Sequence, residues 1–301
     1  HRRQSQHPLC SGHRVKYSVA GMRIAALGGD LLWFRRTMQI LRGVAHVHST
    51  YSYDGRLPLS DLAGFMAGQG LDFVLMSEHV ESLDPEKVRR FVEDCSRYSN
   101  ENFLLIPGIE IDELNALFYG IQAPGGWDDS QDLARQLAAG GALVAVSHPV
   151  KIRQEIAEIT QSAVEAVEVW NSRHDGKVAL RSGILEYWLK LRAGTGRQLL
   201  PLCGIDFHDK RDFVPLVMVV ECAGRDRDSI LTEIRGGRYR IALGGKGVPL
   251  DFGSGALPQS YRAYSALYGA FYESVYFFHR TAGRLRLRPP KRLKSWLRRR
   301  F

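Results

Sequence analysis

From residue 39 onward the chain alternates short apolar runs with helix-length polar–apolar segments, and the runs repeatedly stop on a histidine or an acidic residue. The runs 41–47, 71–76, 103–106, 116–121, 142–146, 165–170, 199–203 and 214–220 read as strands, and the segments 58–69, 85–98, 130–139, 176–192 and 227–235 as helices. Asp84-Pro85 has the form of an N-cap followed by proline at the first helical position, and Gly140-Gly141 would end the helix before it. Runs such as 71–76 and 143–146 are continuously apolar, as strands of a parallel sheet are when both faces are buried. This alternation predicts an α/β fold with a largely parallel sheet, open or closed into a barrel.

The chemistry is concentrated where the runs stop. The first leads into His46-Val47-His48-Ser49, with Asp54 six residues further on. In an extended segment His46 and His48 point to one face, so both imidazoles could reach one ion. Other runs lead into Ser77-Glu78-His79, Pro107-Gly108-Ile109-Glu110, Ser147-His148-Pro149 and Gly204-Ile205-Asp206-Phe207-His208. A lone histidine is most often a core or surface residue. Here five of the ten histidines fall at successive strand ends, each with a carboxylate or second histidine nearby, and that pattern points to metal ligation. Mixed His/Asp/Glu sets suit Zn, Mn or Fe. Ligands gather at the carboxyl ends of the strands in parallel α/β folds, so the chain order predicts that these residues converge.

Composition narrows the class. A chain of 301 residues with 45% hydrophobic and 24% charged residues can bury a sizeable core without disulfides, and wholesale disorder is excluded. Cys10, Cys95, Cys203 and Cys222 form no C-x-x-C pair, which argues against a thiolate zinc site and fits a reducing compartment. The net charge of +9 is unevenly spread. Residues 1–37 carry seven Lys/Arg against one acid and residues 261–301 eleven against one, leaving 23 against 30 in residues 38–260. An acidic middle can hold cations, while the basic ends could meet phosphates or acidic lipid. Residues 1–37 show no strong period and read as a poorly ordered N-terminal extension, with Met22 and Met38 as plausible natural starts. No stretch reaches the roughly 18 apolar residues of a membrane span, and no convincing secretory signal is present, so the cytoplasm is the expected location.

Taken in order, His46-Val47-His48-Ser49 with Asp54-Gly55, Glu78-His79, Gly108-Ile109-Glu110, Ser147-His148-Pro149 and Asp206-Phe207-His208 resemble the successive motifs of the PHP (polymerase and histidinol phosphatase) superfamily. The resemblance covers roughly residues 39–245. It implies a distorted seven-stranded β/α barrel, two or three divalent metal ions at the strand ends, and hydrolysis of phosphate esters. By that resemblance His46, His48, Glu110 and Asp206 would hold one ion, Glu110 would bridge to a second that His148 also binds, and Asp54, His79 and His208 would hold a third. One departure stands out. The family usually has a further histidine shortly after the bridging glutamate, where this chain has Asp112-Glu113-Leu114-Asn115. Asn115 or a nearby carboxylate could offer an oxygen there and favour a harder ion such as Mn; otherwise the second site is lost and a binuclear centre remains.

The resulting expectation is a metal-dependent phosphoesterase domain over residues 38–250, acting on a phosphomonoester of a small metabolite or nucleotide, with Asp206, His208 and Glu110 at the reacting centre. Lys151, Arg173 and His174 are candidates for meeting the substrate phosphate, although each on its own also reads as an ordinary loop residue. Glu168 reads either as an outer partner of the ligands or as part of the barrel end. Gly244-Gly245-Lys246-Gly247 lacks phosphate-loop spacing and reads as a turn. Residues 251–301 form a basic, aromatic-rich extension. In it Tyr261, Tyr264, Tyr268, Phe271, Val275 and Phe278 recur at helical spacing, ahead of Arg284-Leu285-Arg286-Leu287-Arg288 and Arg298-Arg299-Arg300. Such a stripe reads first as a helix packed on its own core; with the basic run behind it, an anionic membrane surface or nucleic acid becomes a second possibility, the former placing the protein at the inner face of a membrane. No obligate protein partner is implied. Two alternatives to the small-substrate phosphoesterase remain open from sequence: a nuclease or phosphodiesterase drawn to nucleic acid by the tail, and a catalytically silent metal-binding scaffold.

Overall fold

The computed structural model describes residues 38–149 and 156–284, all within the unit spanning Arg36–Phe301. Lys151, the 1–37 extension and the basic run beyond Arg284 lie outside the described residues.

Among the described residues twelve strands pair as two six-stranded sheets. The first has the order β12(Lys246–Gly247), β11(Tyr239–Leu243), β10(Leu216–Cys222), β1(Gln39–Val47), β2(Phe73–Met76), β4(Leu104–Ile106). The second has the order β3(Glu78–His79), β5(Gly108–Ile111), β6(Ala116–Tyr119), β7(Leu143–Val146), β8(Ala166–Asn171), β9(Leu200–Gly204). Among the described residues there are seven α-helices: α1(Leu59–Gly68), α2(Pro85–Tyr98), α3(Ser130–Ala139), α4(Glu158–Ala163), α5(Ser182–Thr195), α6(Arg227–Arg235) and α7(Gln259–Arg284).

The expectation of a largely parallel sheet is corrected. Parallel pairs (β1 with β2, β2 with β4, β3 with β5, β7 with β8, β8 with β9) are matched by as many antiparallel ones. Some antiparallel pairs follow from connections too short for a crossover. Between β5 and β6 the chain makes a single 3₁₀ turn at Asp112–Leu114 and reverses at Asn115, whose φ is 50°. Between β11 and β12 it reverses through Gly244 and Gly245, both at positive φ, as a two-residue hairpin turn requires.

Two chain passages cross from the first sheet to the second, and both do so at the motif residues. Ser77 separates β2 from β3, and Pro107 separates β4 from β5. Gly108 is needed at the second crossing, because a Cβ there would lie 2.1 Å from the Met76 carbonyl oxygen and 2.8 Å from that of Phe118. The sheets are also tied beyond the end of β9. Ile205 N–H donates to the Ala45 carbonyl at 2.9 Å, Phe207 N–H to His46 at 3.0 Å, and His48 N–H to Phe207 at 2.9 Å.

The core lies beneath this junction. β2, β6 and β7 are buried along their whole length, and Trp170, Trp188, Phe73, Phe91, Phe118 and Phe207 are among its largest members. Cys95, Cys203 and Cys222 are buried as free thiols. The helix expected over 176–192 begins only at Ser182. The preceding loop is held instead by Asp175, which accepts from Asn171 N–H at 2.6 Å, and by the Trp170 indole, which donates to the Gly176 carbonyl at 2.8 Å. Helix α7 packs against this loop and α5. Tyr261 Oη accepts from Leu180 N–H at 3.3 Å, Ser265 donates to the Leu180 carbonyl, and Arg181 pairs with Glu273. The aromatic stripe of α7 therefore divides. Tyr261 and Tyr268 face the body, whereas Tyr264, Leu267, Phe271 and Phe278 are exposed along another face. Among the described residues no helix is long and apolar enough to cross a membrane.

Candidate metal centre

The residues expected to bind metal converge at the sheet junction, but not by simple strand alternation. His46 sits at a break in the β1–β2 register between Ala45 and Val47, with φ of 62°. Asp206, beyond β9, has φ of 49°, and His148, beyond β7, has φ of 20°. The left-handed region costs an ordinary side chain of the order of 1–3 kcal/mol. Three such residues at one site show the backbone bent to aim side chains. The His46 and His48 rings end 5.2 Å apart, centroid to centroid.

Glu110, in the middle of β5, lies at the centre. Its Oε2 is 3.1 Å from His46 Nε2, 3.5 Å from His48 Nε2 and 3.6 Å from His79 Nδ1, while its Oε1 is 3.0 Å from His148 Nε2. The two oxygens of one buried carboxylate thus face different imidazoles, an arrangement suited to bridging two cations. Asp206 plays a similar part on the opposite side. Its Oδ1 is 3.3 Å from His208 Nδ1, 3.8 Å from His48 Nε2 and 4.0 Å from His46 Nε2, and its Oδ2 is 2.9 Å from His174 Nε2. At the rim, Asp54 places Oδ2 2.7 Å from His208 Nε2 and Oδ1 3.7 Å from His79 Nε2. Ligand atoms of His48, Asp54, His79 and His208 lie within 4.8 Å of one another, as do those of His46, His48 and Glu110 and those of His46, His148 and Asp206.

A cation fits these side chains better than protons do. His48 Nε2, His79 Nδ1, Asp54 Oδ1, Glu110 Oε1 and His148 Nδ1 are buried atoms without a hydrogen-bond partner. Each such atom costs about 1–3 kcal/mol unless something satisfies it. Burial would push the Glu110 and Asp206 carboxyls up, but the surrounding imidazoles, His46 above all, hold both well below the usual carboxylate range. Burial would likewise depress His46, yet Glu110, Glu168 and Asp206 outweigh it and hold that imidazole well above its ordinary value. His48 is pushed well below its ordinary value by burial and by its histidine neighbours, so it presents a neutral ring with a free lone pair. The donor set of imidazoles and carboxylates is that of Zn, Mn or Fe sites.

A surrounding layer fixes the ring orientations. Glu168 Oε1 is 3.0 Å from His46 Nδ1, so a proton shared there turns His46 Nε2 towards Glu110. Glu168 Oε2 also accepts from His148 N–H at 2.7 Å and from the Asn171 amide at 3.0 Å. Gly204 makes room for this contact, since a Cβ would meet Glu168 Oε1 at 1.8 Å. Ser52 Oγ lies 3.3 Å from His48 Nδ1, accepts from His79 N–H at 2.9 Å and donates to Glu78 at 2.5 Å. Glu78, read from sequence only as part of a motif, is a fully buried carboxyl that also accepts from Ser49 N–H at 2.9 Å.

Of the residues expected to meet a phosphate, His174 lies against Asp206 at the edge of the cluster. Arg173 Nη1 is 2.8 Å from His208 Nδ1 and 3.5 Å from Asp212, with the side chain part-exposed at the rim. Sequence reasoning missed Ser52, Asn171 and Asp175, small polar residues outside any ligand pattern, and gave Asp112 only as one of several nearby oxygens. Asp112 Oδ2 lies 3.4 Å from His79 Nδ1.

No family model matches the sequence, and no curated protein is significantly similar to it. A shared fold is found with a solved structure. A two-domain protein from Bacteroides vulgatus ATCC 8482, containing a predicted PHP-like metal-dependent phosphoesterase, superposes with a TM-score of 0.53 at 18% identity over 69% of this chain. The match spans 66% of that protein's length. A protein from Bifidobacterium adolescentis ATCC 15703, whose assignment as a metal-dependent phosphoesterase is itself inferred, matches 56% of this chain and 88% of its own at 14% identity, with a TM-score of 0.40 too low to argue from. The chain thus shares the fold of the Bacteroides vulgatus structure, and it carries a buried His/Asp/Glu cluster able to hold metal.

Burial pushes the Glu78 carboxyl up to about 7, against the opposing hydrogen bonds from Ser49 and Ser52. The folded chain therefore holds this proton more tightly than the unfolded chain. The stability it contributes is present below about pH 4.5 and is lost as the pH rises through about 7. In metal-free protein Glu78→Gln is expected to remove this fall, worth about 3 kcal/mol, from urea unfolding curves compared at the two ends of that window. An unchanged pH dependence would show that Glu78 is ionised throughout.

Proposed function

We propose that the protein is a metal-dependent phosphoesterase that hydrolyses a phosphomonoester of a small metabolite or nucleotide. The observation that carries this reading is Glu110, whose two oxygens face separate imidazole sets at the floor of a cluster bordered by a part-exposed arginine. We read the two sheets, joined at β1 and β9, as the distorted barrel of the PHP superfamily. Two or three ions, Mn, Zn or Fe, would be held by His46, His48, Glu110 and Asp206, by Glu110 and His148, and by Asp54, His79 and His208. Such ions would neutralise phosphate oxygens and lower the pKa of a water towards about 7.

The chain's own residues supply the rest. Asp206 and Glu110 fix the spacing of the ligand sets. Glu168 and Ser52 hold His46 and His48 in the tautomers that leave Nε2 facing inward. Arg173, tethered to Asp212, can swing a few ångströms to meet a non-bridging phosphate oxygen. His174, 2.9 Å from Asp206, is placed to hand a proton to a leaving alkoxide. Lys151, outside the described residues, remains a candidate second cation.

A second element concerns location. The exposed Tyr264, Leu267, Phe271 and Phe278 on α7, followed in sequence by the arginine-rich run, favour an anionic membrane surface over nucleic acid as the partner of the tail.

Asp206→Ala is expected to lower kcat for a generic phosphomonoester with Mn by at least about two orders of magnitude, the scale of losing one charge-stabilising group, with the circular dichroism spectrum unchanged. Retained turnover within a few-fold would remove Asp206 from the chemistry. Truncation before Arg284 keeps α7, whose Tyr272 hydroxyl donates to the His174 carbonyl at 3.4 Å. It is expected to leave small-substrate turnover nearly unchanged while weakening binding to phosphatidylserine vesicles in a salt-dependent way. Lost turnover in the folded truncation would instead place the tail's arginines at the active site.

A further inference from the structure

The 3₁₀ turn after β5 puts an acidic side chain beside the metal centre. Asn115, in the left-handed conformation, closes the turn by donating its N–H to the Asp112 carbonyl at 3.1 Å, and β6 then pairs back on β5 with Ile111 opposite Ala116. This register fixes Asp112 two residues beyond Glu110 on the same edge of the cluster. One ligand atom each from Glu110, Asp112 and His148 lie within 4.8 Å of one another. An independent feature points to a cation at this place. Glu110 Oε1 is buried and makes no hydrogen bond, although His148 Nε2 lies only 3.0 Å away. Such an approach between two potential donors of lone pairs, without hydrogen-bond alignment, is relieved by a cation between them.

We propose that Asp112 is the third protein ligand of a cation site formed with Glu110 and His148, and that its carboxylate moves this site's selectivity towards Mn relative to an imidazole in its place. The proposal rests on the metal-dependent reading above and adds to it a ligand and a preference. Two carboxylates and one imidazole form a harder, more anionic set than one rich in imidazoles, and carboxylate oxygens suit Mn where imidazole suits Zn. Asp112 is also part-exposed, with its other neighbour His79 Nδ1 3.4 Å away, so the site opens towards the rim.

The test is metal binding itself, read on the full chain by equilibrium dialysis with elemental analysis and by titration calorimetry with Mn and with Zn. Loss of an outer-shell partner already weakens metal affinity by about 10–100-fold, so Asp112→Ala is expected to lose one equivalent of Mn at a concentration that saturates the wild type, the other sites keeping their affinity. Asp112→His should restore that equivalent with its Mn-to-Zn affinity ratio shifted towards Zn. Should the alanine variant fail to fold, Asp112→Asn, which keeps the shape and removes the charge, reads the same loss. Wild-type stoichiometry and affinities in Asp112→Ala or Asp112→Asn would overturn the proposal, as would an unchanged Mn-to-Zn preference in Asp112→His. Those results would leave the phosphoesterase reading standing, whereas a wild-type protein that binds neither metal would overturn both.

Discussion

Glu110 is the carboxylate around which the centre is arranged. It is buried among four imidazoles, and each of its oxygens faces a different group of them. Taking a carboxylate out of water is expensive unless positive charge or several hydrogen-bond donors compensate it. The neighbouring elements bring that compensation: β1 supplies His46, with His48 just beyond its end, β3 supplies His79, and the segment after β7 supplies His148. Two of the strands concerned, β3 and β5, are short continuations of chains that have just left the other sheet. The junction between sheets is therefore where the ligand-bearing residues must lie.

Holding so many ligands together demands backbone strain and outer support. His46, His148 and Asp206 all have positive φ, and each is held by a neighbour that limits its movement: Glu168 for the first two, His174 and Asn171 for the third. Strain of this kind persists where surrounding packing over-determines the conformation. Here Glu168 contacts the His46 ring and the His148 backbone at once, with Gly204 beneath to make room. On the other side, the Glu78–Ser52 pair does the same for His48 and His79. The result is a preorganised cluster of buried carboxylates and imidazoles, reached from a rim where Asp54, Arg173 and Asp112 are part-exposed.

Much of this was legible in the sequence because apolar runs and terminal ligands are local signals. Strands β1, β2, β4 and β6 to β10 and helices α1, α2, α3 and α6 fall close to where periodicity and caps put them; Asp84, for instance, accepts from Lys87 N–H as an N-cap should. Strands β3 and β5, by contrast, read only as motif residues beyond strand ends. What stayed hidden depends on contacts distant in sequence. The antiparallel pairing of β1 with β10 joins residues about 180 positions apart and leaves no local mark. Helix α4, of six residues, is too short to show a period. The same-face argument for His46 and His48 reached the right neighbours by the wrong route, since a break in register and a left-handed residue bring them together. Glu168 was legible as one of two alternatives, an outer partner of the ligands, which its contact with His46 bears out, whereas Ser52 looks like any loop serine until His48 is placed beside it.

The central claim is that this cluster is a metal centre, and metal content measures it most directly. Purified protein grown with Mn supplementation, desalted and analysed for transition metals, is predicted to retain at least two equivalents per chain, because Glu110 and Asp206 divide the imidazoles between more than one ligand set. Well under one equivalent would contradict the account.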